Sequence, residues 1–355
     1  MLAVRTAVLA CLVLAACDGN PLSSTGGGNT GGGNTGGGST GGDNTSVSTL
    51  PGSGSGATGG VTRHEDKNLG PKVGGAVSTV VGNGFAEDYS YDDKNDTFTV
   101  DNLAFDGGNT YSRSTTVPTL GPAAVYEAAP TYQDDQTGEQ IDQFSYRALY
   151  GTSTTGRTHF AIVRTGAYVP YGFGGFVYSR KGGVVLPTTG QAQYTGAYSG
   201  LRDYNGAGGM DLTTGDMQMA IDFNDFNPAE SGTGNGAGIQ GFVTNRRVFD
   251  LNGNDITGTI LAGINADKKP DLDLTQLPTL VFKVGPGVLD NNGEAEGELN
   301  STIDSNGKAV EFEAGKYYAV LSGGNADEVA GVIVVTSDAN GITVRETGGF
   351  ILYRP

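Results

Sequence analysis

Two histidines, two cysteines and 38 carboxylates are the side chains of this 355-residue sequence on which chemistry could rest. His64 and His159 lie far apart, His64 in a polar stretch and His159 at the start of an apolar one. With only these two, a histidine-based metal site or catalytic triad is not expected. The carboxylates sit mostly in turns beside Gly and Asn, and nothing selects one pair of them for glycoside hydrolysis. Asp250-Leu251-Asn252-Gly253-Asn254-Asp255 has the outline of a calcium loop. Its sixth position is Asp255 rather than Gly, however, and its twelfth is Leu261 rather than Glu. Both departures remove what such a loop requires, so a plain turn is expected there. The sequence thus assigns no catalytic residue, no metal ligand and no cofactor, and the protein is expected not to be an enzyme.

The cysteines are Cys11 and Cys17. Residues 1–17 read as a targeting segment, with Arg5 as its positive start and the apolar run Ala7–Leu14 too short to span a bilayer. Leu14-Ala15-Ala16-Cys17 resembles the lipobox of bacterial lipoproteins. That resemblance implies cleavage before Cys17 and a diacylglycerol on its thiol, making Cys17 the expected lipid attachment site. Cys11 would leave with the signal, so no disulfide is expected, and stability must come from core burial. Asp18 follows the lipidated position; in some enteric bacteria this position influences sorting between the two membranes.

Residues 18–60 read as a tether. Gly26–Thr45 is a five-residue repeat, GGGNT, GGGNT, GGGST, GGDNT, with almost nothing to bury against its ordering entropy. A flexible chain of roughly 43 residues has a reach of roughly 35–40 Å. The glycines do not make a phosphate loop, because no GKS or GKT follows them.

The folded body is expected from about Val61. There is no Trp, Gly is 61 of 355, and no sustained apolar stripe at helical period occurs after residue 20. Short runs rich in Val, Ile, Thr, Tyr and Phe alternate instead with Gly, Asn and Asp, the pattern of an all-β body built from hairpins. A break near 184–190 divides it. Residues 61–187 form a β-rich first part, with strands expected at 97–103, 143–149, 158–164 and 174–178. Asp92-Asp93-Lys94-Asn95-Asp96 has hairpin-turn composition. Residues 188–355 form a second part with strands expected at 191–200, 215–226, 238–244, 256–262, 279–284, 294–301, 309–313, 317–321, 329–336 and 342–353. Met217, Met219, Ile221 and Phe223 share one face, as a barrel wall in contact with both core and water requires. An antiparallel barrel of about eight strands fits, and closure would remove exposed sheet edges.

The stretch Lys316–Val335, KYYAVLSGGNADEVAGVIVV, organises this second part: strand, small polar turn, strand. The turn Gly323-Gly324-Asn325-Ala326-Asp327-Glu328, Gly331 and the terminal Gly348-Gly349-Phe350 resemble the closing hairpins of transferrin-binding-protein-B-like surface lipoproteins of Gram-negative bacteria. Tyr194, Gly196, Tyr198 and Gly200 are similar to that family's opening strand. The resemblance covers roughly the last 165 residues. It implies a C-terminal barrel preceded by a handle-like β domain, and capture of a host or environmental ligand, with iron carriers, haem carriers and host regulators as candidate classes. The chain has room for one handle and one barrel. Tyr194 and Tyr198 are expected to pack over Gly196, and Glu328 to cap backbone N–H groups of its turn.

Net charge is −17, which repels nucleic acid and anionic lipid headgroups and keeps an exposed protein soluble. Two functions fit: a lipid-anchored, monomeric binding protein of the outer membrane, displayed on the cell surface or the periplasmic face, whose partner is a protein ligand; or a structural or interaction lipoprotein without a small ligand. The residues select no ligand-binding loop.

Overall fold

A computed structural model describes residues 47–66, 72–73, 76–77, 86–101, 103–167, 174–205, 207–223, 238–267, 272–285, 287–305, 307–339 and 342–355. The signal segment, Cys17 and the glycine repeat lie outside the described residues.

The first part is a curled antiparallel sheet. Its strands are β1 (Gly52–Gly54), β2 (Val61–His64), β5 (Tyr89–Asp92), β6 (Thr97–Val100), β7 (Thr110–Arg113), β8 (Thr119–Leu120), β9 (Ala123–Ala128), β12 (Tyr146–Thr152), β13 (Thr158–Thr165) and β14 (Gly174–Arg180). The order across the sheet is β1-β2-β14-β13-β12-β9-β7-β6-β5, with β8 also on β9. Two small ladders stand apart: β3 (Lys72–Val73) with β4 (Ala76–Val77), and β10 (Thr131–Gln133) with β11 (Gln140–Asp142). Residues 47–60, expected in the tether, fold instead. Leu50 is buried, β1 pairs with β2, and the Thr49 N–H donates to Glu296 at 2.8 Å. Leu50, five residues past the repeats, is thus where ordering begins to be compensated by burial.

The second part is a closed antiparallel barrel of eight strands: β15 (Gln191–Tyr204), β16 (Met210–Asp222), β17 (Gly238–Phe249), β18 (Leu280–Phe282), β19 (Glu294–Ser305), β20 (Lys308–Ser322), β21 (Glu328–Ala339) and β22 (Ile342–Tyr353). The opening strand β15 pairs with the terminal β22 from Thr195↔Tyr353 to Tyr204↔Val344, which closes the wall. The strands expected at 309–313 and 317–321 are one strand, β20. Gly315 does not break it; there the strand passes so close to Val334 and Val335 that a side chain would strike their backbone.

One expected strand is a helix. The apolar run 256–262 suggests a strand, but α1 spans Thr257–Asp267. A short apolar run fits either structure, and the N-terminal signal decides. Asp255 accepts the Thr257 N–H at 2.8 Å, as a helix start requires. Leu261 and Ile264, one helical turn apart, are buried in a cluster with Val248, Leu272, Leu277 and Ile303. The loop before α1 is the expected turn: Asp250 accepts the N–H groups of Asn252 at 2.9 Å and Asn254 at 2.8 Å.

The barrel interior holds Tyr194, Tyr198, Met217, Met219, Ile221, Tyr317, Ile333 and Phe350 among its buried side chains. Toward one end it becomes ionic. Arg246 donates to Glu313 at 2.7 and 2.8 Å and to Glu346 at 3.0 Å. Ser301 donates to Glu313 at 2.6 Å, and Tyr198 to Glu346 at 2.8 Å. Burial pushes the Glu313 carboxyl up, but the Arg246 charge and these hydrogen bonds hold it below its ordinary range.

The outer wall of β20–β22 is apolar as well. Tyr318, Val320, Ala330, Val332 and Ile351 pack against Leu149, Phe160, Ile162, Phe176 and Tyr178 of the curled sheet. Strands covered on both faces must be continuously hydrophobic, which is why Tyr317–Leu321 and Val329–Ile333 do not alternate, whereas β16 does.

The expectation for Tyr198 needs correcting here. Its ring covers Gly348, where any Cβ would overlap it, and not Gly196, which is approached by the backbone of Ile351. Gly349, one residue on, faces outward and is covered in the same way by Phe160 of β13, which also lies over Gly151. The Gly-Gly-Phe motif therefore admits one ring from each side of the wall. Gly349→Ala is expected to destabilise the protein by about 1–3 kcal/mol through overpacking. Urea unfolding should show a lower midpoint with an unchanged slope; an unchanged midpoint would contradict this packing.

Candidate functional site

The turn of the organising hairpin is where the curled sheet is clamped to the barrel. Gly323 lies at φ +98 and Ala326 at φ 45, so the chain reverses through left-handed backbone. Tyr194 donates from inside the barrel to the Ala326 carbonyl at 2.6 Å, fixing the turn to the opening strand. Glu328, fully buried, caps no backbone N–H among the described residues, contrary to expectation. It accepts from the hydroxyls of Thr155 at 2.6 Å and Thr158 at 2.7 Å, and from Arg157 at 3.3 Å, all on the β12–β13 hairpin. Arg157 also donates to Asp327 at 2.8 Å, which holds the Asp327 carboxyl below its ordinary range. The sequence could not show this role, because the partners lie about 170 residues away.

Two further contacts cross the same boundary. Arg164, paired with Glu65 of its own sheet at 2.8 Å, donates to Thr347 of the barrel at 2.9 Å, and Arg63 holds Glu294 through two bonds of 2.6 and 2.8 Å. Arg180 binds no carboxylate among the described residues. It donates to the carbonyls of Gly56, Gly59, Gly182, Asn292 and Leu321, at 2.7–3.1 Å, and so gathers three chain segments.

With the sheet so fixed, its opposite face is left to curl around a second core of Phe98, Tyr111, Tyr126, Tyr146, Ala161 and Val163. The curl brings the edge strand β5 over β12, β13 and β14. At the mouth lies a cleft of about 430 Å³, lined by Thr62, Asp88, Tyr89, Ser90, Tyr91, Asp93, Tyr150, His159, Ser179 and Lys181. That size falls within the range of about 300–1,000 Å³ usual for small-molecule sites. Three tyrosine rings meet there. Tyr150 lies 5.5 Å from Tyr89 and 5.1 Å from Tyr91, centre to centre. Its ring is nearly parallel to that of His159, 6.1 Å away centre to centre.

His159 is 5% exposed. Tyr150 Oη and Thr152 Oγ1 both sit 3.1 Å from its Nδ1. Its Nε2 has no hydrogen-bond partner among the described residues. Burial, reinforced by nearby Lys181, holds the imidazole pKa below its ordinary value, so the ring is neutral at pH 7. A neutral ring carries one N–H, and the two hydroxyls at Nδ1 suit either tautomer, each able to donate to it or accept from it. Of the two histidines, the structure puts His159 on the cleft wall; His64 is half-buried on β2, and its Nδ1 lies 3.2 Å from the Glu65 carbonyl. Tyr89, Tyr91 and Tyr150 were not singled out by sequence. Alternation within Tyr89-Ser90-Tyr91 was the available signal, but its strand sits at a sheet edge whose neighbours across the curl are distant in the chain. Tyr194 and Tyr198 lie in the barrel core and not at the cleft.

No family model matches the chain, and no curated protein matches it. Solved structures do. The chain is similar to a double mutant of the vaccine antigen transferrin binding protein B of Haemophilus parasuis Hp5, with 12% identity and a TM-score of 0.35, over 75% of this chain and 44% of that one. A mutant of the same antigen from Actinobacillus pleuropneumoniae H49 matches with 14% identity and a TM-score of 0.29, over 57% and 79%. A structure described as a surface lipoprotein matches with 14% identity and a TM-score of 0.28, over 58% and 80%. The chain spans less than half the length of the first of these. The fold itself stands on the strand pairings described above.

Removing the clamp isolates its contribution. Glu328→Ala leaves Thr155, Thr158 and Arg157 facing an empty buried position and is expected to cost about 3–5 kcal/mol. Combined with Thr158→Val, the loss should fall short of the sum of the two single losses, because the two residues share one contact. Strict additivity in chemical unfolding would show that Glu328 does not hold the two sheets together.

Proposed function

We propose that this protein is a non-catalytic binding protein of the bacterial envelope. It is anchored by lipid at Cys17, tethered by the glycine-rich repeats up to residue 46, and presents its curled sheet to a ligand from the host or environment. In this reading residues 61–187 are the handle and 188–355 the barrel that carries it. The observation that carries the proposal is the cleft on the handle face turned away from the barrel: aromatic, open to solvent, and walled by hydroxyl and charged side chains. A concave site with a few convergent polar groups is where a ligand binds by default.

The tether supports the same reading. Its reach lifts a folded body clear of a lipid surface, and the chain's net charge of −17 keeps that body from lying on anionic headgroups. Among the described residues no helix is long and apolar enough to cross a membrane, and attachment falls to the lipid. Two or more acyl chains, at about 0.8 kcal/mol per buried CH₂, make that attachment firm. The outer membrane with display at the cell surface is the location this arrangement serves, the protein acting as a monomer on a protein ligand; iron and haem carriers are the first to be tested.

Two measurements test the proposal. Cys17→Ala should move the protein from the membrane fraction to the soluble fraction, and retention in the membrane would refute lipid anchoring. The full chain, solubilised in detergent and immobilised, should retain a discrete protein from serum or spent growth medium, identified by mass spectrometry. Retention that is the same with and without the handle-face substitution Tyr91→Ala would place the binding surface elsewhere.

A further inference from the structure

We infer that the cleft at the mouth of the curled sheet is a subsite for a neutral pyranose, a single sugar unit of a glycan. The inference builds on the binding role proposed above and names the chemistry of what enters.

The wall of the cleft has two kinds of surface. Tyr89, Tyr91 and Tyr150 supply aromatic faces, whose negative potential attracts the weakly positive C–H hydrogens on the flat side of a sugar ring. Thr62, Ser90 and Ser179 supply hydroxyls, which both donate and accept; Asp88 and Asp93 supply acceptors, and Lys181 donors. A pyranose is the complementary object: one apolar face, and an equator of hydroxyl groups that likewise donate and accept.

Charge narrows the class. Asp88 and Asp93 outnumber Lys181 on the cleft wall, and His159 is neutral. A phosphate, sulfate or carboxylate ligand would meet one cation and two anions there. The geometry of the aromatic group also favours a rigid ring. Tyr91 is 37% exposed and anchored through its hydroxyl to Asp96 at 3.1 Å, so its face is held in place before any ligand arrives.

Saturation-transfer NMR on the full chain in polyoxyethylene detergent micelles tests this, with methyl α-mannopyranoside, methyl β-galactopyranoside, N-acetylglucosamine and N-acetylneuraminic acid as probes. At least one neutral sugar should receive saturation from tyrosine protons with a dissociation constant near or below about 1 mM. Tyr91→Ala, at an exposed edge position, should weaken it about tenfold, while Tyr132→Ala, exposed on the separate β10–β11 hairpin, should not. The source of the sugar is separated by a second arm. Protein retained from serum is deglycosylated enzymatically and offered again, beside a free neutral oligosaccharide as competitor. Loss of retention assigns the sugar to a glycoprotein; retained binding of the free oligosaccharide alone assigns it to a polysaccharide. No transfer to any neutral sugar at about 10 mM, transfer that survives Tyr91→Ala, or preference for N-acetylneuraminic acid would overturn the inference. Capture of a serum protein that persists after deglycosylation and ignores the competitor would overturn it while leaving the binding role intact.

Discussion

The barrel wall formed by β20, β21 and β22 is buried on both faces, and that constraint shapes most of the molecule. The inner face closes the barrel core through Tyr317, Ile333 and Phe350, and the outer face receives Phe160, Ile162, Phe176 and Tyr178 from the curled sheet. Two cores thus share one layer of backbone. Burial of apolar area stabilises at about 25 cal/mol per Å², and a wall used twice buries side chains in both directions from the same ordered residues. For a mature chain expected to lack disulfides, that economy of ordering matters. It also explains the glycines at the contact: Gly348 admits Tyr198 from within and Gly349 admits Phe160 from without, so rings rather than methyl groups meet the backbone.

Polar contacts at this shared wall fix orientation. Glu328 and Glu294 bind side chains from the other side of the boundary, Glu65 lies 3.7 Å from Arg345 of the barrel, and all three are nearly or fully buried. Buried ion pairs return little net stability against a hydrophobic alternative, because desolvation opposes them. Their directional demand is what distinguishes one docking angle from its neighbours. The curled sheet is thereby held with its aromatic mouth facing away from the barrel, and the cleft inherits its geometry from contacts on the far side of the same strands. His159 makes the connection concrete: it follows Thr158, whose hydroxyl is bound to Glu328, so successive residues of β13 face the clamp and the cleft.

Much of the barrel was legible in the sequence, because local pattern determines it. The alternation of Met217, Met219 and Ile221 marks a wall with water outside, and the terminal glycines and the Gly323–Glu328 turn mark the closing hairpins. The unbroken Tyr317–Leu321 run was legible as a strand, but its reason, the second covered face, was not. The residues that cover it belong to β12–β14 and are distant in the chain. Helix α1 was misread because a run of about six or seven residues fits either period, and the deciding cap, Asp255, had been read as part of an acidic turn. Glu328 was recognised as structural while its partners were not. The cleft was invisible for the same physical reason: its rings come from β5 and β12, which meet only because the sheet curls, and no short-range pattern records curl.

The central claim is that the curled sheet and the barrel are one cooperative unit built on a common wall. Native-state hydrogen exchange read by mass spectrometry tests it most directly. The account predicts that amides of β13 and β14 exchange with the same free energy, and the same dependence on low denaturant, as those of β20–β22. Exchange of the β13 and β14 amides through an opening several kcal/mol cheaper than that of the barrel strands would show two independently stable bodies, and would contradict the shared core.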